Sequence, residues 1–181
     1  MKIYQEAKKI MQKFIVKLTN QDTTLIDDTA LECFDVDTAQ NGADKLTAQI
    51  TAKNKIALLE GENACDMCKS WSADGVLIDL SKSEHCAKDV NFARKQIGDK
   101  VLGVISRNRR HEAMLISECE PDFVAFKAWQ QGVEQTRELV AWYNEMFLIQ
   151  SAVIPEEEIA DVQNFECDII IISAQKYASI F

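Results

Sequence analysis

Short apolar runs of strand size alternate with longer stretches of helical period along most of the chain. The alternation is clearest from residue 75 onward. Residues 75–80 (GVLIDL) are almost all apolar, as strands covered on both faces of a parallel sheet are. The next stretch predicts a helix over 84–97, with Cys86, Val90, Ala93 and Ile97 inward, Ser83 as its cap and Gly98 at its stop. Residues 101–105 predict a strand, 109–118 a helix ending before Pro121, and 123–126 another strand. A helix over 133–143 follows, with Leu139, Val140 and Trp142 available for burial, then strands at 146–150 and 167–172. Pro155 suits a first helical turn, and Glu156, Glu157 and Glu158 suit its positive dipole end.

The first third repeats the pattern more weakly. Strands are predicted at 14–18 (FIVKL), 33–36 and 56–59, with helices over 43–52 and 62–71 and an amphipathic lead-in over 1–12. Eight strands with intervening helices define a (β/α)8 TIM barrel, read as one domain over 1–181. The chain is short for that fold, and the shortfall lies between residues 19 and 55, where the first helices are trimmed. A doubly wound open sheet is the alternative; no GxGxxG follows any strand, which argues against a dinucleotide-binding version.

Charge narrows the picture. A net charge of -9 disfavours nucleic acid as a partner, and the basic cluster Arg107, Arg109, Arg110 with His111 reads as a solvated helix start. No stretch has a signal-peptide core or approaches the ~18 apolar residues of a membrane span. The expectation is a cytoplasmic protein with no membrane partner and six reduced cysteines. Cys65 and Cys68 form a CxxC, which can be a redox couple or half a zinc site. A second CxxC is missing, and His85 and His111 lack finger spacing, so the pair reads as packing residues and no metal site is expected.

From Asp74 onward the chain resembles thiamine phosphate synthase and its thiazole tautomerase relatives. The pieces that carry the resemblance are ADGV (73–76), KVLGV (100–104), RHEAM (110–114), PDFVAF (121–126), IPEEE (154–158) and ISA (172–174), in that order. The resemblance implies a (β/α)8 barrel, magnesium, and the joining of a pyrimidine diphosphate to a thiazole phosphate with release of pyrophosphate.

The departures fall on the loops that would do this chemistry. Where the family grips the diphosphate with Gln-x-Arg-x-Lys after strand two, this chain carries Asp35 and Asp37. Its Asn-Asp after strand three becomes Glu60–Gly61, and Lys82 replaces a magnesium ligand after strand four. Ser-x-His after strand five becomes Ile105–Ser106–Arg107. The Thr-rich, lysine-ended loop after strand six becomes Trp129–Gln130–Gln131–Gly132–Val133–Glu134–Gln135, and the phosphate-loop Gly-Gly after strand seven becomes Ser151–Ala152. Ser173–Ala174 after strand eight keeps the family's wording. A leaving diphosphate needs cations or a metal to hold its developing charge, and exchanging Arg and Lys for two aspartates inverts the local field.

The site candidates follow. Ser151, Ala152, Ser173 and Ala174 are the expected phosphate loops, with millimolar affinity at best. Asp35, Asp37, Glu60, Asp79, Arg107 and Lys127 are the expected barrel-mouth residues. The four carboxylates either meet at the mouth, where they could hold a divalent cation, or are solvated loop residues. Lys127 is expected to pair with Asp35 or Asp79 rather than form a Schiff base, and Trp129 and Trp142 are read as packing residues. Two functional readings stay open. One is a non-catalytic or regulatory member that binds a phosphorylated ligand or a protein and needs no cofactor. The other is an active thiamine-metabolism enzyme with a rebuilt site, of the synthase or thiazole isomerase type, the one reading under which magnesium is possible. The apolar tail Tyr177, Ile180 and Phe181 suggests a homodimer.

Overall fold

The computed structural model describes residues 12–129, 132–156 and 164–181. Eight parallel strands close into a barrel: β1 (Lys13–Leu18), β2 (Cys33–Asp37), β3 (Ile56–Glu60), β4 (Gly75–Asp79), β5 (Val101–Ser106), β6 (Phe123–Lys127), β7 (Gln150–Ile154) and β8 (Ile169–Ser173). Each pairs with the next, and β8 returns to β1, with Ile171 opposite Ile15 and Ser173 opposite Lys17. Six helices are present among the described residues: α1 (Ala43–Ala52), α2 (Ala64–Ser70), α3 (Cys86–Ile97), α4 (Arg110–Ser117), α5 (Val133–Met146) and α6 (Ala174–Ile180). None is long and apolar enough to cross a membrane.

Strand alternation builds two separate cores. Val16, Phe34, Val36, Leu59, Val76, Leu102, Val104, Val124 and Phe126 face the helices and pack on Leu46, Ile50, Val90, Ile116 and Tyr143. Ile15, Leu58, Leu77, Ile105, Phe123, Ala125, Ala152, Ile154, Ile169 and Ile171 fill the barrel interior. Two interior positions, Gly75 and Gly103, must be small. A Cβ on Gly103 would lie 2.1 Å from the Phe123 ring, which occupies the space across β5 and β6. Gly103→Ala is expected to cost about 2 kcal/mol through overpacking, read by urea unfolding; a loss under about 0.5 kcal/mol would show that Phe123 repacks freely.

Three aspartates close the lower rim by one repeated device. Asp74, Asp122 and Asp168 immediately precede β4, β6 and β8. The Asp74 amide donates to the Ala57 carbonyl, and its Oδ2 accepts the Ala57 amide at 2.9 Å. Asp122 makes the same pair of bonds with Leu102, and Asp168 with Ser151. Each partner is the second residue of the preceding strand. The aspartates of ADGV, PDFVAF and ECDIII are therefore register clasps, each tying its strand to the adjacent preceding one.

Several expectations need correction. β7 is Gln150–Ile154, not 146–150, because α5 continues to Met146. The apolar residues after Tyr143 mislead: Met146 is 58% exposed and Leu148 wholly so, while Ser151 to Ile154 are buried. β8 begins at Ile169 and includes Ser173. Ser83 does not cap α3; His85 holds that position, and the Ser83 hydroxyl accepts the His85 amide and donates to Asp89. Gly98 does end α3, at φ 67°. The trimming between 19 and 55 falls on one connection. Between β1 and β2 there is a single five-residue 3-10 turn, Thr23–Asp27, whereas α1 has ten residues. Ile26 and Leu31 of this connection are buried, and the Tyr177 hydroxyl of α6 donates to Asp28 at 3.2 Å.

Cys65 and Cys68 lie on α2, and all six cysteines are free. Burial raises both CxxC thiols above their ordinary range, so neither is poised as a thiolate. The predicted lead-in over 1–11, Gln130 and Gln131 of the β6 loop, and Glu157 and Glu158 after Pro155 lie outside the described residues.

Candidate functional site

The C-terminal strand ends gather charge inside the barrel. Alternation that turns Ile15 inward also turns Lys17 inward, and parallel register sets Lys17 beside Asp35. Glu60 ends β3 on the same side. The Lys17 ammonium lies 2.5 Å from Glu60 Oε2 and 3.5 Å from Asp35 Oδ2. Across the mouth, Lys127 at the end of β6 donates to Asp79 Oδ2 at 2.5 Å. A cavity of about 350 Å³ opens beside Lys17, walled by Trp129, Ile154, Pro155, Glu156, Ile171 and Ser173.

Burial sets the electrostatics. Asp35 is 2% exposed and its Oδ1 has no hydrogen-bond partner. Burial first, then the Glu60 charge, hold its carboxyl well above the ordinary aspartate range, with Lys17 pulling the other way. Burial lowers the Lys17 ammonium, but the charges and hydrogen bonds of Asp35 and Glu60 together outweigh it and the net shift is upward. Lys17 therefore remains a cation at neutral pH. Asp79 is shifted down: burial opposes this, but hydrogen bonds from Lys127 and Ser81 favour its anion.

The remaining candidates sort by position. Asp37 is exposed, and its Oδ1 accepts the Ala39 amide in a turn. Arg107 is committed to the loops: its Nε donates to the Ser81 carbonyl at 3.1 Å and its Nη1 lies 3.4 Å from Glu112. Ser173 caps α6, its hydroxyl accepting the Lys176 amide, and Ala174 is the first residue of that helix. Ser151 and Ala152 are not a loop after β7. They are buried residues within the strand, Ser151 held by the Asp168 clasp and Ala152 pointing into the barrel. The segment after β7 begins with Pro155 and Glu156. Trp142 packs on Phe147 and Arg110, but Trp129 is 46% exposed and forms a wall of the cavity. Reading the sequence missed Lys17. A partial signal was present: in FIVKL, period two puts Lys17 on the same face as Ile15, near the C-terminal end of the strand, but that this face is interior follows only from barrel closure.

Magnesium does not fit these residues. A hard cation needs several free oxygen ligands, and an ammonium already holds the space between Asp35 and Glu60. Among the described residues, no group of three or more His, Cys, Asp or Glu side chains could hold a metal.

The architecture defines a small TIM barrel, with a cavity at the strand C-terminal ends, the face on which such barrels usually bind ligands. No family model matches the chain, and no curated protein matches it by sequence. Solved structures do match in fold. Thiamine phosphate pyrophosphorylase from Pyrococcus furiosus superposes with a TM-score of 0.70 at 12% identity, over 95% of each chain. An Aquifex aeolicus protein gives 0.70 at 13% identity, over 94% of this chain and 89% of its own. A tryptophan synthase alpha-subunit variant from Pyrococcus furiosus gives 0.66 at 10%, over 90% of this chain and 87% of its own.

Proposed function

We propose that this chain is a thiamine phosphate synthase-like barrel that has given up diphosphate and magnesium chemistry and acts as a binding or regulatory member, holding a small ligand at the mouth. One observation carries the reading: three part-buried cations among the described residues at this end, Lys17, Arg107 and Lys127, are each bonded to a carboxylate of their own barrel. A diphosphate would have to displace those carboxylates and approach their negative charge. Phosphate itself is poorly served. Pro155 offers no amide to an anion, and Glu156 adds a carboxylate to the cavity wall. A phosphorylated ligand would meet Ser173 and Ala174 at the end of β8, with affinity in the millimolar range, about 4 kcal/mol.

The test is the joining of thiazole phosphate to pyrimidine diphosphate with magnesium present. The expected result is no product above the uncatalysed control. Turnover near the ~10 per second typical of enzymes would overturn the reading.

A second reading, an enzyme with a rebuilt site of isomerase type, is favoured by buried Asp35 with its unpartnered oxygen. We also propose a homodimer in a cytoplasmic setting. Tyr177 and Phe181 pack edge-on against Phe14 of the same chain, and Phe181 stays 71% exposed for a partner copy. Sedimentation at high concentration is expected to give about twice the 20.5 kDa chain mass, and a strict monomer would refute the dimer.

A further inference from the structure

We propose that Lys17, Asp35 and Glu60 form a proton-transfer site for a small uncharged hydroxy-carbonyl compound, with Glu60 as the base, Lys17 facing the carbonyl oxygen and Asp35 as a protonated positioning residue behind them. The inference rests on the reading that the mouth no longer serves a diphosphate, and it develops the isomerase form of the site.

Three observations meet here. The first is the unpartnered Oδ1 of Asp35, on a side chain 2% exposed. A buried carboxylate oxygen without a donor is costly as an anion. The cost is relieved when Asp35 keeps a proton and Glu60 accepts it in a hydrogen bond. The second is the charge count. One ammonium lies 2.5 Å from Glu60 and 3.5 Å from Asp35, so the cluster is neutral when the two carboxyls share one proton. The third is access. Lys17 lines the 350 Å³ cavity, and the Glu60 side chain is 24% exposed, whereas Asp35 is enclosed. Trp129, Ile154, Pro155 and Ile171 give that cavity apolar walls suited to an uncharged compound of a few carbons. The titratable groups facing Asp35 are Lys17 from β1, Glu60 from β3 and Cys33 on its own strand; burial pushes the Cys33 thiol up to about 12, so it stays protonated.

The step balances without an outside reagent. Glu60 takes the proton from the hydroxyl-bearing carbon next to the carbonyl. The C–H electron pair forms the carbon–carbon double bond, and the carbonyl π pair moves onto oxygen. The Lys17 ammonium donates a proton to that oxygen and takes one from the neighbouring hydroxyl. The deprotonated hydroxyl oxygen then forms the new carbonyl, and the carbon–carbon double-bond pair takes the proton back from Glu60 at the former carbonyl carbon, which completes an aldose–ketose type exchange with no net change in atoms or electrons.

The experiment places the full chain in deuterium oxide with glyceraldehyde or dihydroxyacetone and follows loss of the α C–H signal by proton NMR. Exchange at least about a hundredfold above buffer is expected, falling to the buffer rate in Glu60→Gln. Asp35→Asn still donates to Glu60 and should hold exchange within tenfold, whereas Asp35→Ala should lose it. Exchange at the buffer rate in the unaltered protein, or equal effects of the two Asp35 variants, would overturn the proposal. A carboxyl-carbon titration of the unaltered protein needs no variant: Asp35 is expected to titrate above the ordinary aspartate range, and titration within that range would also overturn it. The synthase assay is independent, so a chain that joins the two thiamine precursors fails the functional reading whatever this exchange shows.

Discussion

Lys17→Met is expected to destabilise the protein by about 3 kcal/mol at neutral pH, the low end for breaking a buried ion pair. The low end applies because the Lys17 side chain is 35% exposed while its partner Asp35 is 1% exposed. Without the ammonium, two carboxyls remain in the barrel with one orphaned oxygen and no cation. The loss should shrink towards acid pH, as negative charge left without the ammonium is neutralised. Adding Asp35→Asn and Glu60→Gln to the same chain should recover most of it, since neutral amides do not need the cation. Urea unfolding across pH checks all three statements, and a Lys17→Met chain within about 0.5 kcal/mol of the parent would refute them.

The same groups fix the pH dependence of the intact chain. Asp35 has its folded pKa raised, so the native state keeps a proton that the unfolded state releases. Its contribution therefore falls as pH rises from the ordinary aspartate range through the raised folded value. Asp79 is shifted down, so its contribution is present above the ordinary range and is lost as pH falls through the lowered value. Lys17 is shifted up, so its contribution holds below the ordinary lysine range and is lost as strongly alkaline pH passes its folded value.

The second large effect is expected at the lower rim. Replacing Asp74, Asp122 or Asp168 by alanine leaves the amide of Ala57, Leu102 or Ser151 without its carboxylate acceptor. Each loss should cost about 2 kcal/mol, as hydrogen bonds to charged groups do. The three clasps join different strand pairs and share no partner, so the losses should add. The triple variant then loses about 6 kcal/mol, comparable with the whole stability of many domains, and should not fold to a cooperative state. Thermal unfolding followed by circular dichroism reads this directly. A triple variant with a cooperative melt near that of the parent would show that backbone pairing alone sets the register.

Most of the barrel was legible because its strands are buried on both faces. GVLID, VLGVIS and FVAFK are apolar runs bounded by turns, and no helix-period reading competes with them. Strand seven was misplaced because apolarity alone does not report burial. Met146 and Leu148 are apolar but exposed, and Tyr143 carries α5 past the point where its pattern weakens. That shift removed Ser151–Ala152 from the ligand face altogether. At the mouth, the carboxylates could be named from strand ends, but Lys17 was hidden inside the first strand. A lysine in a run such as FIVKL reads as an edge or solvent residue until closure places β1 between β8 and β2. The Lys127–Asp79 pair was accessible because both residues end strands. The preference of Lys17 for Asp35 and Glu60 required the register of three strands.

The most direct measurement is a titration of inorganic pyrophosphate with magnesium, followed by backbone amide shifts of the full chain. Self-neutralised cations at Lys17, Arg107 and Lys127 predict no affinity tighter than about a millimolar, or 4 kcal/mol. Any shifts should be confined to Lys17 and Ser173–Ala174, and the Ser151 and Ala152 amides, buried in β7, should not move. Saturation at micromolar pyrophosphate, roughly 8 kcal/mol, with shifts around Asp35, Glu60 and Asp79, would contradict the account.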